Sequence, residues 1–166
     1  MRVLAIFDWQ NISQVNHLTF KEMDNREQSL KKLFDVTDKV ACVTGASSGL
    51  GRHSANVLAQ YGASVVGIAR RKDALQDWQR KNKGKVAFEA HDLSDENQLE
   101  ELANKVSGHF GQPDILVHAA GLNNRMHADK INQTEWHKTL WLNLSVPFFL
   151  SQHFVPSMKK KIGGAL

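Results

Sequence analysis

Residues 39–52 read KVACVTGASSGLGR. Val40 to Thr44 is a short run of β-branched and small apolar residues, the composition of a strand buried on both faces. It meets a glycine-rich turn, Gly45 to Gly51, and a helical pattern begins there. A strand that feeds a helix through glycines brings backbone N–H groups and the positive end of a helix dipole to one point. That is an anion site suited to a pyrophosphate. The spacing is TGxxxGxG, one residue longer between glycines than the dinucleotide fingerprint GxGxxG. No Gly-Lys-Ser/Thr follows, so the turn is not a P-loop. The same glycines could serve only to let strand and helix pack closely, and the rest of the chain has to decide.

A length of 166 residues allows one domain with a sizeable core, and 42% apolar with 23% charged residues describes a globular chain. The net charge of +4 is mildly basic. Its densest block, Lys159 to Lys161, reads as a solvated helix end near the dipole's negative pole, so no nucleic-acid partner is expected. The single cysteine, Cys42, excludes a disulfide framework and reads as a buried, inert thiol. Eight histidines form neither an HExxH nor a Cys/His cluster, so no metal site is expected. No run approaches a membrane span, and Val3 to Phe7 is too short for a signal-peptide core. The expected location is cytoplasmic.

Residues 1–34 read as an N-terminal extension. Thr19 and Glu22 make a capping box, and Phe20, Met23, Leu30 and Phe34 recur at roughly helical spacing. Either an amphipathic helix or a partly disordered segment fits. Beyond the glycine turn, Leu50, Ser54, Val57, Leu58 and Tyr61 fall on one helical face, with Gly62 as a left-handed stop. Ser64 to Ala69 is a second strand, followed at once by Arg70 and Arg71. A short helix follows from Asp73 to Asn82, with Leu75 and Trp78 inward. Lys85 to Ala90 alternates more and suits an edge strand. After the His91-Asp92-Leu93 loop, Ser94 caps a helix whose apolar side is Leu99, Leu102, Val106 and Phe110. Ile115 to Ala119 is a fourth strand ending near Gly121.

The order β-α-β-α-β-α-β builds a doubly wound, Rossmann-type parallel α/β sheet. We place its strands as 3-2-1-4, with a switch point between strands 1 and 4. Ligands of such sheets lie outside the carboxyl ends of the strands at that point. The glycine turn, Arg70-Arg71, His91-Asp92 and Ala119-Ala120-Gly121 all fall at carboxyl ends, which favours a dinucleotide. Farther on, Thr134 can cap one long helix from Glu135 to about Lys160. Trp136, Leu140, Leu144, Pro147, Ser151, Val155 and Met158 step along one face of it. Trp141, Leu142, Phe148 and Phe149 spread apolar surface over the rest, so the helix needs cover on more than one side. Pro147 cannot bond back to the carbonyl of Asn143.

TGASSGLG at 44–51, Asp92-Leu93, HAAG at 118–121 and WLNLSVPFF at 141–149 together resemble the short-chain dehydrogenase/reductase family over residues 34–164. Members with a similar motif set include 3-oxoacyl-carrier-protein reductases and gluconate dehydrogenases. The resemblance implies an oxidoreductase that binds NAD or NADP and transfers hydride between it and a carbonyl or alcohol. Gly45, Ser47, Ser48, Gly49, Leu50 and Gly51 would cradle the cofactor phosphates. Asp92 would accept from the adenine amino group, and Leu93 would donate through its backbone. Ala119, Ala120 and Gly121 would admit the nicotinamide ribose. His118 stands where the family usually has asparagine, which weakens the expected tie between strand 4 and the sheet. Asn143 corresponds to the catalytic asparagine, whose carbonyl holds a water in the proton relay; alternatively, Pro147 there merely kinks a helix.

NAD-binding relatives usually carry an acidic residue at the end of strand 2, where it bonds the ribose 2′-OH and repels a 2′-phosphate. Ala69, Arg70 and Arg71 stand there instead, and an arginine fork suits phosphate. NADP(H) is therefore expected over NAD(H), with Arg70 the main contact and Arg71 or Arg52 supporting it.

The resemblance also requires a serine and a Tyr-xxx-Lys pair beyond the long helix. Tyr61 is the sole tyrosine, and no Tyr-xxx-Lys occurs. The chain thus reads as the front portion of a Rossmann domain, residues 35–166, lacking strands 5–7. Two readings follow: an NADP-dependent oxidoreductase truncated before its catalytic tyrosine, or a non-catalytic dinucleotide-binding or interaction module (a decayed gene product included). An open strand 4 edge and an uncovered 135–160 helix would favour self-association.

Overall fold

The computed structural model describes residues 35–123 and 125–161. The expected capping box and helix of residues 1–34 lie outside the described residues, as do residues 162–166, where the resemblance would start a fifth strand. Four strands form one parallel sheet in the order β3-β2-β1-β4: β1 Val40–Thr44, β2 Ser64–Ala69, β3 Val86–Ala90 and β4 Ile115–His118. Cys42 pairs with Val66 on one side and Leu116 on the other, which sets the register of β2, β1 and β4. Every residue of β1 is buried, as the apolar run requires of a central parallel strand. β3 is an edge strand, as its alternation suggested.

The pleat sends alternate residues to two separate cores. Ala41, Val43, Val65 and Val86 face one side, where α1 (Gly49–Gln60) and α2 (Lys72–Lys81) pack with Ala55, Ala59, Leu75 and Trp78. Cys42, Val66, Ile68 and Ala87 face the other, against α3 (Leu99–Phe110) and α5 (Val146–Lys161), which contribute Leu102, Val106, Leu150 and Phe154. Helices therefore cover both faces, the doubly wound arrangement expected of this element order.

Three local readings are corrected. The buried face of α1 is Gly51, Ala55 and Ala59, whereas Leu50 and Tyr61 are 83% and 69% exposed. Small residues win because the helix lies close on the sheet. The helix of residues 99–110 is preceded by a 3-10 turn at Glu96–Gln98, capped by Asp95, whose carboxylate accepts the Asn97 N–H at 3.1 Å; Ser94 does not cap it.

The third correction concerns the long helix, which runs without a break from Gln133 to Lys161 but carries a π-turn partway along. α4 (Gln133–Leu140) is capped by Asn132, not Thr134, and a π-turn at Trp141–Ser145 separates it from α5. Val146, Leu150 and Phe154 form the buried stripe of α5, one position away from the expected face, while Leu144, Phe148 and Phe149 are exposed. Nearly every position from 141 to 150 is apolar, so the pattern carries no phase. Pro147 follows the π-turn directly, at the point where the ladder shifts register and a missing N–H is accommodated. No helix among the described residues is long and apolar enough to cross a membrane.

Candidate functional site

The carboxyl ends of all four strands open into one cavity of about 440 Å³. The turn after β1 contributes Gly45, Ser47, Ser48, Gly49 and Leu50, and the end of β2 contributes Arg70 and Arg71. His91, Asp92 and Leu93 close it beyond β3, and Ala119, Ala120 and Gly121 beyond β4. Of the residues singled out for the site, Gly51, Arg52 and Asn143 do not line its wall.

The glycines divide their work. Gly45 has φ +72°, and a Cβ there would lie 2.6 Å from the Ala119 carbonyl oxygen. A Cβ on Gly51 would lie 2.5 Å from the Gly45 carbonyl oxygen, because the first turn of α1 sits directly on the end of β1. Both therefore meet a close-packing demand. Gly49 differs: a Cβ there would meet nothing within 4 Å, and its φ of +57° is what favours glycine. Packing and an open anion cradle are thus two properties of one turn.

At the start of α1 the N-cap residue Ser48 makes no side-chain capping bond, and the first turn holds no acidic residue. Its amide donors and positive dipole end remain available to an anion. The arginines around it are placed differently from one another. Arg71 donates to Ser47 Oγ from Nε at 3.3 Å and from Nη2 at 3.0 Å, and to Ser48 Oγ from Nη2 at 2.6 Å. Arg52 reaches the Ser47 and Ala74 carbonyls and the Asp77 carboxylate, each at 3.4 Å, so it ties α1 to α2. Arg70 lies near enough to Asp92 to act on its charge.

The Asp92 carboxyl is held below its ordinary value, chiefly by the Ser94 N–H that it accepts at 3.0 Å; burial opposes this, and the Arg70 and His91 charges assist. Beside it, His91 Nε2 is buried without a hydrogen-bond partner while the residue lines the cavity. A polar ligand edge would satisfy that atom. These groups fit an anionic, adenine-bearing dinucleotide: unclaimed helix amides and an arginine fork as donors, a carboxylate as acceptor, and an orphaned ring nitrogen.

Beyond β4, Thr44 Oγ1 accepts the N–H groups of Ala119 and Ala120, both at 3.1 Å. That hydroxyl, 2% exposed, ties the ends of β1 and β4 together. His118 bonds instead to α5, its Nε2 lying 2.9 Å from Ser151 Oγ, and its Nδ1 is buried without a partner. Strand 4 is therefore anchored by Thr44 and Ser151 despite the missing asparagine. The Asn143 side chain exchanges two bonds with the Leu122 backbone, which leaves its own carbonyl as the group it can offer. In the π-turn the Val146 N–H reaches back to the Trp141 carbonyl, and Pro147 has no N–H to offer Asn143.

Ser94 and Leu142 also line the cavity, and sequence reasoning assigned neither a site role. A second cavity of about 500 Å³ continues past Arg70, Gly121 and Leu142 to His137 and Lys138 of α4. Tyr61 lines neither. Among the described residues no three metal-ligating side chains come together.

Comparison with known proteins agrees with this geometry. The family described as short chain dehydrogenase matches residues 39–166. The chain is similar to the 3-oxoacyl-[acyl-carrier-protein] reductase of Escherichia coli, 35% identical over 132 residues, which is 77% of this chain and 52% of the relative. It is also similar to the NAD-dependent glycerol dehydrogenase of Listeria innocua, 30% identical over 149 residues, 90% of this chain and 56% of that one. Among solved structures, a metagenomic short-chain oxidoreductase in complex with NADP superposes with a TM-score of 0.71 at 31% identity, covering 76% of this chain and 59% of that chain. The chain spans about half the length of the curated relatives it matches. With strand order, glycine turn and site walls in agreement over 39–166, the chain belongs to the short chain dehydrogenase family.

Proposed function

We propose that this chain binds a nicotinamide dinucleotide, NADP(H) in preference to NAD(H), as the cofactor-holding part of a short-chain oxidoreductase acting on a carbonyl or alcohol. The observation that carries this reading is the arginine pair at the end of β2, on the same cavity as the glycine turn and with no carboxylate at that strand end. The turn from Gly45 to Gly51 and the α1 amides would hold the pyrophosphate. Arg71, rather than the Arg70 expected from the sequence, would take the larger share of a 2′-phosphate, because it is already bonded at the turn. Arg70, beside Asp92, would flank the adenine end with Asp92 and Leu93. Ala119, Ala120 and Gly121 would face the nicotinamide ribose, and the Asn143 carbonyl would hold a water for the proton relay. The bound dinucleotide supplies the hydride chemistry. Relatives in the family include an NADP complex and an NAD-dependent enzyme, so the preference rests on the arginines. Fluorescence titration with NADPH and NADH tests it: tighter NADPH binding that weakens on Arg71→Ala supports the reading, and equal affinities overturn it.

A second reading is favoured by one observation. The sole tyrosine, Tyr61, caps the far end of α1 at 69% exposure, outside the cavity, so it supplies no proton there. On this reading the chain is a non-catalytic dinucleotide-binding module. NADPH oxidation across a carbonyl panel separates the two, since turnover by this chain alone excludes the second. We further infer a cytoplasmic protein that self-associates through the β4 edge or through the exposed face of α5.

A further inference from the structure

Ser48 is the N-cap of α1, a position where a serine hydroxyl ordinarily accepts a first-turn N–H. It makes no such bond. Its oxygen instead accepts from Arg71 Nη2 at 2.6 Å, and Ser47 Oγ accepts from Nε and Nη2 of the same guanidinium at 3.3 and 3.0 Å. We propose that Ser47 and Ser48 are positioning residues that hold Arg71 as a preformed clamp at the mouth of the cavity, and so set how strongly the site prefers a dinucleotide bearing a 2′-phosphate. This rests on the dinucleotide reading above.

Three features of the contact carry the proposal. Arg71 is exposed, and a free arginine has among the largest rotamer freedom of any side chain, which a ligand must freeze on binding. Two neighbouring hydroxyls freeze it beforehand. The acceptors are neutral, so they orient the guanidinium without cancelling its charge; Arg52, by contrast, faces the Asp77 carboxylate at 3.4 Å. Finally, the bonds use Nε and Nη2, the latter donating to both hydroxyls. Nη1 remains for an incoming oxyanion, and a planar fork with one edge fixed presents its other donors in one direction. Forgoing the cap also leaves the α1 amides open to the pyrophosphate, so one hydroxyl serves both phosphate sites of the ligand.

The test compares NADP⁺ and NAD⁺ affinities of the full chain and of Ser48→Ala, Ser48→Thr and Arg71→Ala. Ser48→Ala is expected to lower the NADP⁺-to-NAD⁺ affinity ratio by about three- to tenfold, the range set by losing one charge-assisted hydrogen bond that orients the fork. Ser48→Thr keeps the hydroxyl and is expected to restore the ratio. In the Arg71→Ala background the serine change is expected to move the ratio no further. A ratio unmoved by Ser48→Ala, or one that still falls without Arg71, overturns the clamp. Failure of the parent chain to bind either dinucleotide overturns the underlying reading as well, and is distinguished by that result.

Discussion

The Asn143 side chain and the Leu122 backbone exchange two hydrogen bonds of 2.8 Å, Leu122 N–H to Oδ1 and Nδ2–H to the Leu122 carbonyl. The loop that leaves β4 is thereby fastened to the π-turn, and Gly121 sits so close that a Cβ would lie 3.3 Å from Oδ1. Asn143→Ala is expected to cost about 1 kcal/mol for a solvent-accessible pair of bonds. Asn143→Asp, which keeps the acceptor and loses the donor, should also be destabilised. Urea unfolding midpoints check both, and faster amide exchange at Leu122 in Asn143→Ala would localise the effect.

Gly51→Ala gives a larger response. The added Cβ would meet backbone oxygen of Gly45 at 2.5 Å, with no flexible side chain to yield. α1 must then lift from the end of β1, at a cost of about 1–3 kcal/mol for overpacking. Dinucleotide binding is expected to fall with it, because the same turn carries the cavity wall. Thermal unfolding and NADPH titration of this variant measure the two consequences together.

Acid should destabilise the fold in two stages. Burial pushes His118 below its ordinary 6.5. The unfolded chain then takes up a proton near that pH while the folded ring stays neutral. Stability is full above 6.5 and falls as the pH drops towards the folded value, with a slope of at most about 1.4 kcal/mol per pH unit. Asp92 and Asp114 lie below 3.8 when folded. For Asp92 the Ser94 N–H dominates; for Asp114 burial works the other way and is outweighed by Lys161, at 2.8 Å, and the Val40 N–H. Their contribution is present above 3.8 and is lost below it. Urea midpoints against pH should show the first stage vanish in His118→Asn and the second persist.

Leu144 and Phe148 are 65% and 62% exposed on the α4–α5 segment, and Phe149 stacks on Trp141 beside them. Leu144→Lys with Phe148→Lys is expected to raise the self-association constant for dissociation by about tenfold or more, as removing two apolar anchors from an interface does. Sedimentation velocity over a concentration series reads this directly. A parent chain that stays monomeric at tens of micromolar, roughly the range where exposed apolar surface aggregates, would rule out the inferred self-association.

The sheet was legible because its logic is written locally. β-branched runs mark β1 and β2, and the alternation of strands with helical segments leaves few topologies, so Arg71 and Asp92 could be placed on one cavity from order alone. Packing was harder to read. On α1 the sequence offers Leu50 and Tyr61 as the apolar face, yet contact with a sheet selects Gly51, Ala55 and Ala59, because closeness of backbones outweighs side-chain size there. The π-turn was hidden by an almost unbroken apolar stretch with no phase. The bonds from Arg71 to Ser47 and Ser48 span 24 and 23 residues. They depend on how the glycine turn folds back over the start of α2, which no local pattern encodes.

Cys42 lies at the centre of β1, 1% exposed, with its thiol pushed up to about 12 by burial. It is the chain's single cysteine. In the folded protein it is neither reachable nor ionised, so a thiol-reactive dye reports only molecules whose central strand has opened. Labelling rates therefore give each variant's opening equilibrium without a denaturant, from a probe that the sequence already carries.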